Sequence, residues 1–148
     1  MKFTKMHGAG NDYLYVDARG LKKDWPSLSR QMSDRHFGVG GDGLILILES
    51  DVADLKMRMF NADGSEGEMC GNGIRCLARY ALDREMISPD TSPVSVETMS
   101  GVLQVTPIRE GDKIVGGRVI MGEPRLRAED IPVLAPGLEV VIDYPLPI

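Results

Sequence analysis

Cysteine is scarce: there are two in 148 residues. That is too few for a disulfide scaffold or for a zinc site built on cysteine alone. Cys70 and Cys76 are six positions apart, about 9 Å of rise if both sit on one helix, so they are not expected to pair with each other. Positive charge is in deficit. Lys and Arg number 17 against 22 Asp and Glu, a net charge of −5. This argues against the basic footprint of a nucleic-acid binder and against a polybasic membrane anchor. No apolar run approaches the ~20 residues that a spanning helix needs. The opening MKFTKMHGAGND lacks the apolar stretch of a signal peptide, so the default expectation is a cytoplasmic protein. Internal repeats and low-complexity tracts are also missing. So is a Gly-Lys-Ser/Thr, which excludes a P-loop.

What is present suits one ordinary globular domain, with 43% hydrophobic and 26% charged residues. The most informative stretch is FNADGSEGEMCGNGIRCLARYAL, Phe60 to Leu82. Leu55, Met57 and Met59 alternate with Lys56 and Arg58, the pattern of a half-buried strand running into Phe60. Asn61, Asp63, Gly64, Ser65 and Gly67 make a polar loop. Ile74, Leu77, Ala78, Ala81 and Leu82 then recur at helical spacing. The pattern predicts a helix starting at Gly71 to Gly73, with Cys70 just before its first turn.

That position has chemical consequences. The first N–H groups of a helix have no partner within it, and with the helix dipole they favour negative charge. A thiolate at Cys70 is stabilised there, and its pKa is expected to drop. The same N–H groups suit a substrate carboxylate. Gly71 and Gly73 remove side chains that would block close approach. A thiolate beside an anion cradle suits proton abstraction next to a carboxylate, or nucleophilic attack. A lone cysteine is more often a buried, inert thiol, but Gly-Asn-Gly directly after Cys70 favours a reactive role. Cys76 fits a buried helix face. Asn72 reads either as a helix-start residue or as a substrate hydrogen-bonder.

Elsewhere, Met1 to Met6 reads as a first strand, His7 to Asp12 as a turn, and Tyr13 to Asp17 as a second strand. His7 reads as a satisfied structural residue rather than an acid or base. Pro26 opens a helix running to His36, which Gly38 ends. Gly38 to Gly43 formally satisfies G-x-G-x-x-G, yet it follows a helix and opens the apolar strand Leu44 to Leu48, the reverse of a dinucleotide site. Asn61, Asp63 and Ser65 suggest an EF-hand, but Glu66 stands where glycine is needed and Asn72 where glutamate is needed. Val94 to Thr98 and Val102 to Thr106 read as a hairpin through Met99 to Gly101. A turn at Gly111 to Lys113 leads to a short strand, Arg118 to Met121. Glu123 to Pro136 reads as a connector, Leu138 to Asp143 as a last strand, and Pro145 and Pro147 close the chain.

MCGNGIRC (Met69 to Cys76), preceded by FNADGSE (Phe60 to Glu66), resembles diaminopimelate epimerases. MHGAGND (Met6 to Asp12), GVGGDGL (Gly38 to Leu44) and MGEP (Met121 to Pro124) match the same family in the same order. The resemblance implies an α/β (α+β) fold, a curled mixed sheet wrapped around a central helix, repeated in two halves with substrate between them. It implies interconversion of LL- and meso-diaminopimelate, an isomerase step in lysine and peptidoglycan-precursor biosynthesis, with neither pyridoxal phosphate nor metal. Two cysteines do the work there, one on each face of the α-carbon. By position, Cys70 matches the first, Gly71 and Asn72 match residues that hold the reacting carboxylate and amine end, and Asn11 and Asn61 match substrate-contacting asparagines. Gly43 stands where some relatives carry a larger polar residue, and no contact is carried over there. The second cysteine motif has no counterpart in this chain. The expected organisation is therefore a half-domain over 1–122, then a connector and the start of a second half-domain over 123–148. This chain alone is expected to be inactive. The resemblance also implies a small-molecule substrate and a tendency to form homodimers. Competing readings are a related cofactor-free racemase or isomerase, such as a proline racemase or the phenazine-pathway isomerase, and a non-catalytic binding scaffold.

Overall fold

The computed structural model describes residues 1–131, 133–134 and 137–145. The sheet grows from hairpins and two parallel pairings. Strands β1 (Thr4–Gly8) and β2 (Asn11–Asp17) form an antiparallel hairpin. Its two-residue turn, Ala9–Gly10, has φ of 54° and 85°, as the tight hairpin that matches strand twist requires. His7, Asn11 and Asp12 are therefore strand residues, not turn residues: His7 pairs with Asp12 and Gly8 with Asn11. Thr4, Met6 and Gly8 turn inward while Lys5 and His7 are exposed. His7 is exposed and makes no side-chain hydrogen bond among the described residues, which corrects its expected role as a satisfied structural group.

Helix α1 (Trp25–Ser33) begins where Asp24 accepts the Ser27 N–H at 3.1 Å. It stops three residues before His36. The Asp34 carboxylate takes the N–H groups of His36 and Phe37, each at 2.7 Å, which substitutes a local turn for the next helical turn. The chain then folds back tightly. A side chain on Gly38 would run into the carbonyl oxygens of Gln31, Met32 and Asp34, so Gly38 serves this turn rather than a helix cap.

β3 (Gly43–Leu48) pairs parallel with β2 and antiparallel with β4 (Leu55–Asn61). A two-residue strand β5 (Glu66–Gly67) pairs with β4, and helix α2 (Gly71–Asp83) follows. β6 (Val94–Thr98) pairs parallel with β4, then β7 (Gly101–Glu110) and β8 (Lys113–Val119) continue antiparallel. The order is β1-β2-β3-β4-β6-β7-β8. α2 packs against strands near both edges, including β1 and β8, so the sheet curls around it. The architecture is the expected α+β one.

Strand alternation divides the core. Tyr13, Tyr15, Ile45 and Ile47 face α2, with Ile74, Leu77 and Ala81 opposite them. Leu14, Val16, Leu44, Leu46 and Phe60 face away, under α1 and Trp25. β3 is thus covered on both sides, which is why it reads as an unbroken apolar run. Two expectations at the C-terminal side need correcting. Of the short strand expected at Arg118 to Met121, only Arg118 and Val119 are strand residues, and they end the longer β8. Gly116 and Gly117 interrupt its alternation, and a Cβ on Gly117 would lie close against Val105 of β7 and Arg75 of α2. Leu138 to Asp143 is not a strand. It contributes one bridge, Val140 to Arg127, and Leu138, Val140 and Ile142 are exposed. The connector's Pro136 and the terminal Pro147 lie outside the described residues.

Candidate active site

The expected helix start holds at residue level. Cys70 is the N-cap of α2, with extended backbone (φ −133°, ψ 113°). Its carbonyl accepts the first helical bond from Ile74 N–H at 2.8 Å. Its sulfur accepts the Gly73 N–H at 3.3 Å, as an N-cap side chain does. Cys70 is half-buried, whereas Cys76, one and a half turns further on, is buried. Burial pushes the Cys76 thiol up, making it the poorer nucleophile. Both cysteines are free.

Packing fixes this helix start from several sides. The Tyr15 hydroxyl donates to the Gly73 carbonyl at 3.1 Å from a fully buried position. A Cβ on Gly73 would lie 2.6 Å from Ile45 Cδ1, and one on Gly8 would lie 3.0 Å from the Asn72 carbonyl. Glycine at both positions lets β1 and β3 approach the first turn closely. Gly71 differs: a Cβ there would make only ordinary contact, with Met121 at 3.5 Å. Among the described residues the N–H groups of Gly71 and Asn72 meet no acceptor. No acidic side chain occupies the first turn, so the positive end of the helix is left for an anionic ligand.

Asn11 reaches the same place from the start of β2. The Cys70 thiol donates to Asn11 Oδ1 at 3.2 Å. The amide's other end, Nδ2, donates to Asp42 Oδ2 at 2.6 Å. Asp42 Oδ2 also accepts the Asp12 N–H at 3.0 Å, and Arg35 bridges Asp42 and Asp12 at 2.8 and 2.7 Å. Tyr13 lines the buried side. Burial, reinforced by the neighbouring Cys70, pushes its hydroxyl up to about 12, so it stays neutral.

Not every expected residue joins this cluster. The Asn72 amide oxygen accepts from Arg75, which ties that side chain to its own helix. Asn61 ends β4 opposite Gly43, with Gly43 between it and Tyr13. Its amide is turned to the Ser65 hydroxyl at 2.9 Å, and no bond to Cys70 is present among the described residues. Asp42 and Tyr13 were not anticipated. An acid embedded in the glycine run of Gly38 to Gly43 was the available signal for Asp42. Tyr13 carried none.

Arg35 and then Lys5 hold the Asp12 carboxyl well below the usual carboxylate range, against the opposing effect of burial. The folded-state value is depressed, so this contribution is complete above the unfolded value of about 4. It is lost as pH falls toward the folded value. Asp12→Asn is expected to lower Tm at pH 7. The gap to wild type narrows steadily as the pH of the melts drops below about 4. A constant gap would count against the ion-pair origin.

Comparison with known proteins follows the same outline. Residues 3–127 match the family model for diaminopimelate epimerase. The chain is 57% identical over 136 residues to the diaminopimelate epimerase of Methanococcus maripaludis, covering 91% of this chain and 48% of that protein. It is 50% identical over 145 residues to that of Desulfitobacterium hafniense, covering 95% and 50%. The chain thus spans about half the length of the curated relatives it matches. A probable proline racemase from Agrobacterium radiobacter shares the fold at 16% identity, with a TM-score of 0.63 over 79% of this chain and 40% of that one. A phenazine-biosynthesis PhzF-family protein from Bacillus anthracis aligns at 25% identity, with a TM-score of 0.57 over 76% and 39%.

Proposed function

The chain belongs to the diaminopimelate epimerase family, and from that membership we propose that it supplies one cysteine-bearing half of a cofactor-independent epimerase acting on diaminopimelate. Residues 1–122 are the half-domain, and 123–148 are the connector and start of a second. The observation that carries this reading is Cys70 at the α2 N-cap, its sulfur between the Gly73 N–H and Asn11, beside the unused N–H groups of Gly71 and Asn72.

The substrate's reacting carboxylate sits on those two N–H groups. This places the α-carbon beside Cys70. Loss of the α-proton spreads negative charge into that carboxylate, and the helix N-terminus stabilises it where it develops. Cys70 exchanges a proton with one face of the carbon. Inversion needs a second acid or base on the other face. Cys76 cannot fill that role, being buried on the same helix. Asn61 is the further substrate contact, with its Nδ2 held to the Ser65 hydroxyl.

Two protein samples in deuterium oxide test the proposal. The first is this chain alone, which is expected to give no inversion of LL-diaminopimelate. The second is a chimera in which this chain replaces the matching half of the Methanococcus maripaludis relative. It is expected to invert LL-diaminopimelate with deuterium at the α-carbon. Inversion by the chain alone would overturn the two-sided mechanism. A chimera that inverts proline and leaves diaminopimelate untouched would move the substrate to the racemase class.

A further inference from the structure

The amide of Asn11 can face Cys70 with either its oxygen or its nitrogen, and the two are chemically opposite. Oxygen accepts from a thiol and repels a thiolate, while the NH2 group does the reverse. The choice is not made by Cys70. It is made on the far side of the amide, where the Asp42 carboxylate, an acceptor only, takes Nδ2 at 2.6 Å. That carboxylate oxygen is itself fixed by the Asp12 N–H at 3.0 Å. Asp42 is also held through its backbone, its N–H donating to the Asp12 carbonyl at 2.6 Å and its carbonyl accepting from Ala62 at 3.1 Å. With Nδ2 committed, Oδ1 must point at the sulfur, and it does, at 3.2 Å.

We infer that Asp42 is a positioning residue: through the Asn11 amide it presents a fixed acceptor to Cys70 and keeps the proton on that sulfur until substrate enters. The inference rests on Cys70 being the reactive group of the proposed function. It assigns a purpose to the one acid inside the glycine run, and it separates that purpose from the exposed Arg35 ion pair beside it. If the acceptor oxygen matters, an amide at position 42 can replace it. If the charge matters, it cannot.

The test is the iodoacetamide alkylation rate of Cys70 in this chain at fixed neutral pH, read by peptide mass. Thiolate is the nucleophile. Asp42→Ala frees Asn11 to rotate and is expected to speed alkylation about three- to tenfold, the range one net hydrogen bond spans. Asp42→Asn, which keeps an acceptor, is expected to stay within about twofold of wild type, as is Arg35→Gln, which removes only the ion pair. An Asp42→Ala rate equal to or slower than wild type overturns the positioning role. So does Arg35→Gln matching Asp42→Ala. Wild-type Cys70 that resists alkylation overturns the underlying reading as well. Should Asp42→Ala not fold, the wild-type amide spectrum decides. One Asn11 side-chain proton is expected to be shifted and slow to exchange, and a solvent-like pair overturns the inference.

Discussion

Cys70→Ala in the chimera is expected to lower kcat for diaminopimelate inversion about 10²- to 10⁴-fold, the usual contribution of a positioned acid or base. The sulfur has two separable roles. It caps α2 through the Gly73 N–H, and in the proposed reaction it carries the proton. Alanine removes both, but the cap contributes only about 1 kcal/mol, and the Ile74 bond to the Cys70 carbonyl is untouched. The fold therefore survives. Cys70→Ser separates the roles, because a hydroxyl is a good N-cap but a poor acid or base near neutral pH. Serine is expected to keep or slightly raise Tm while activity falls as far as with alanine. Turnover by the serine variant within tenfold of the parent would mean that another group moves the proton.

Leu77→Ala is expected to destabilise the chain by about 2–5 kcal/mol, through lost burial and the cavity left behind. Leu77 is completely buried, on the face of α2 that also carries Ile74 and Ala81 and meets Ile45, Ile47, Val94, Val96 and Val105. A typical domain has only about 5–15 kcal/mol in all, so this one change removes a large share. The same substitution loosens the helix that aims Cys70. Denaturant melts check it: the midpoint falls while the slope stays constant. A loss under about 1 kcal/mol would mean the site collapses around the gap, contrary to native packing density. Arg79→Ala serves as the surface control. Its ion pair with Asp83 is half-exposed on both sides, so the expected change is within about 0.5 kcal/mol.

Much of the site was legible because it is local. Apolar periodicity after Gly73 and the Gly-Asn-Gly at Gly71 are patterns among near neighbours, and they place the helix start and its N-cap on Cys70. The same locality explains the misreadings. The end of α1 moved because one carboxylate, Asp34, captured two N–H groups. β8 reads short because Gly116 and Gly117 carry no alternation, though Gly117 lets this edge strand lie close to Arg75 of α2. Leu138 to Asp143 is rich in β-branched residues and still forms no strand, since composition cannot supply a neighbour to bond with.

The amino-acid order alone determined the elements near Cys70, the acidic character of the chain and its kinship. Which groups surround that sulfur was decided by pairing at a distance. The parallel register of β2 with β3 sets Tyr13 against Gly43 and brings Asp42 to Asn11, 31 positions away in the chain. Asn61, equally plausible beforehand, was turned to Ser65 by its own loop. Side-chain spacing within a segment follows from helix and strand geometry, whereas the register between segments depends on which faces bury each other, and that exists only once the sheet has closed around α2.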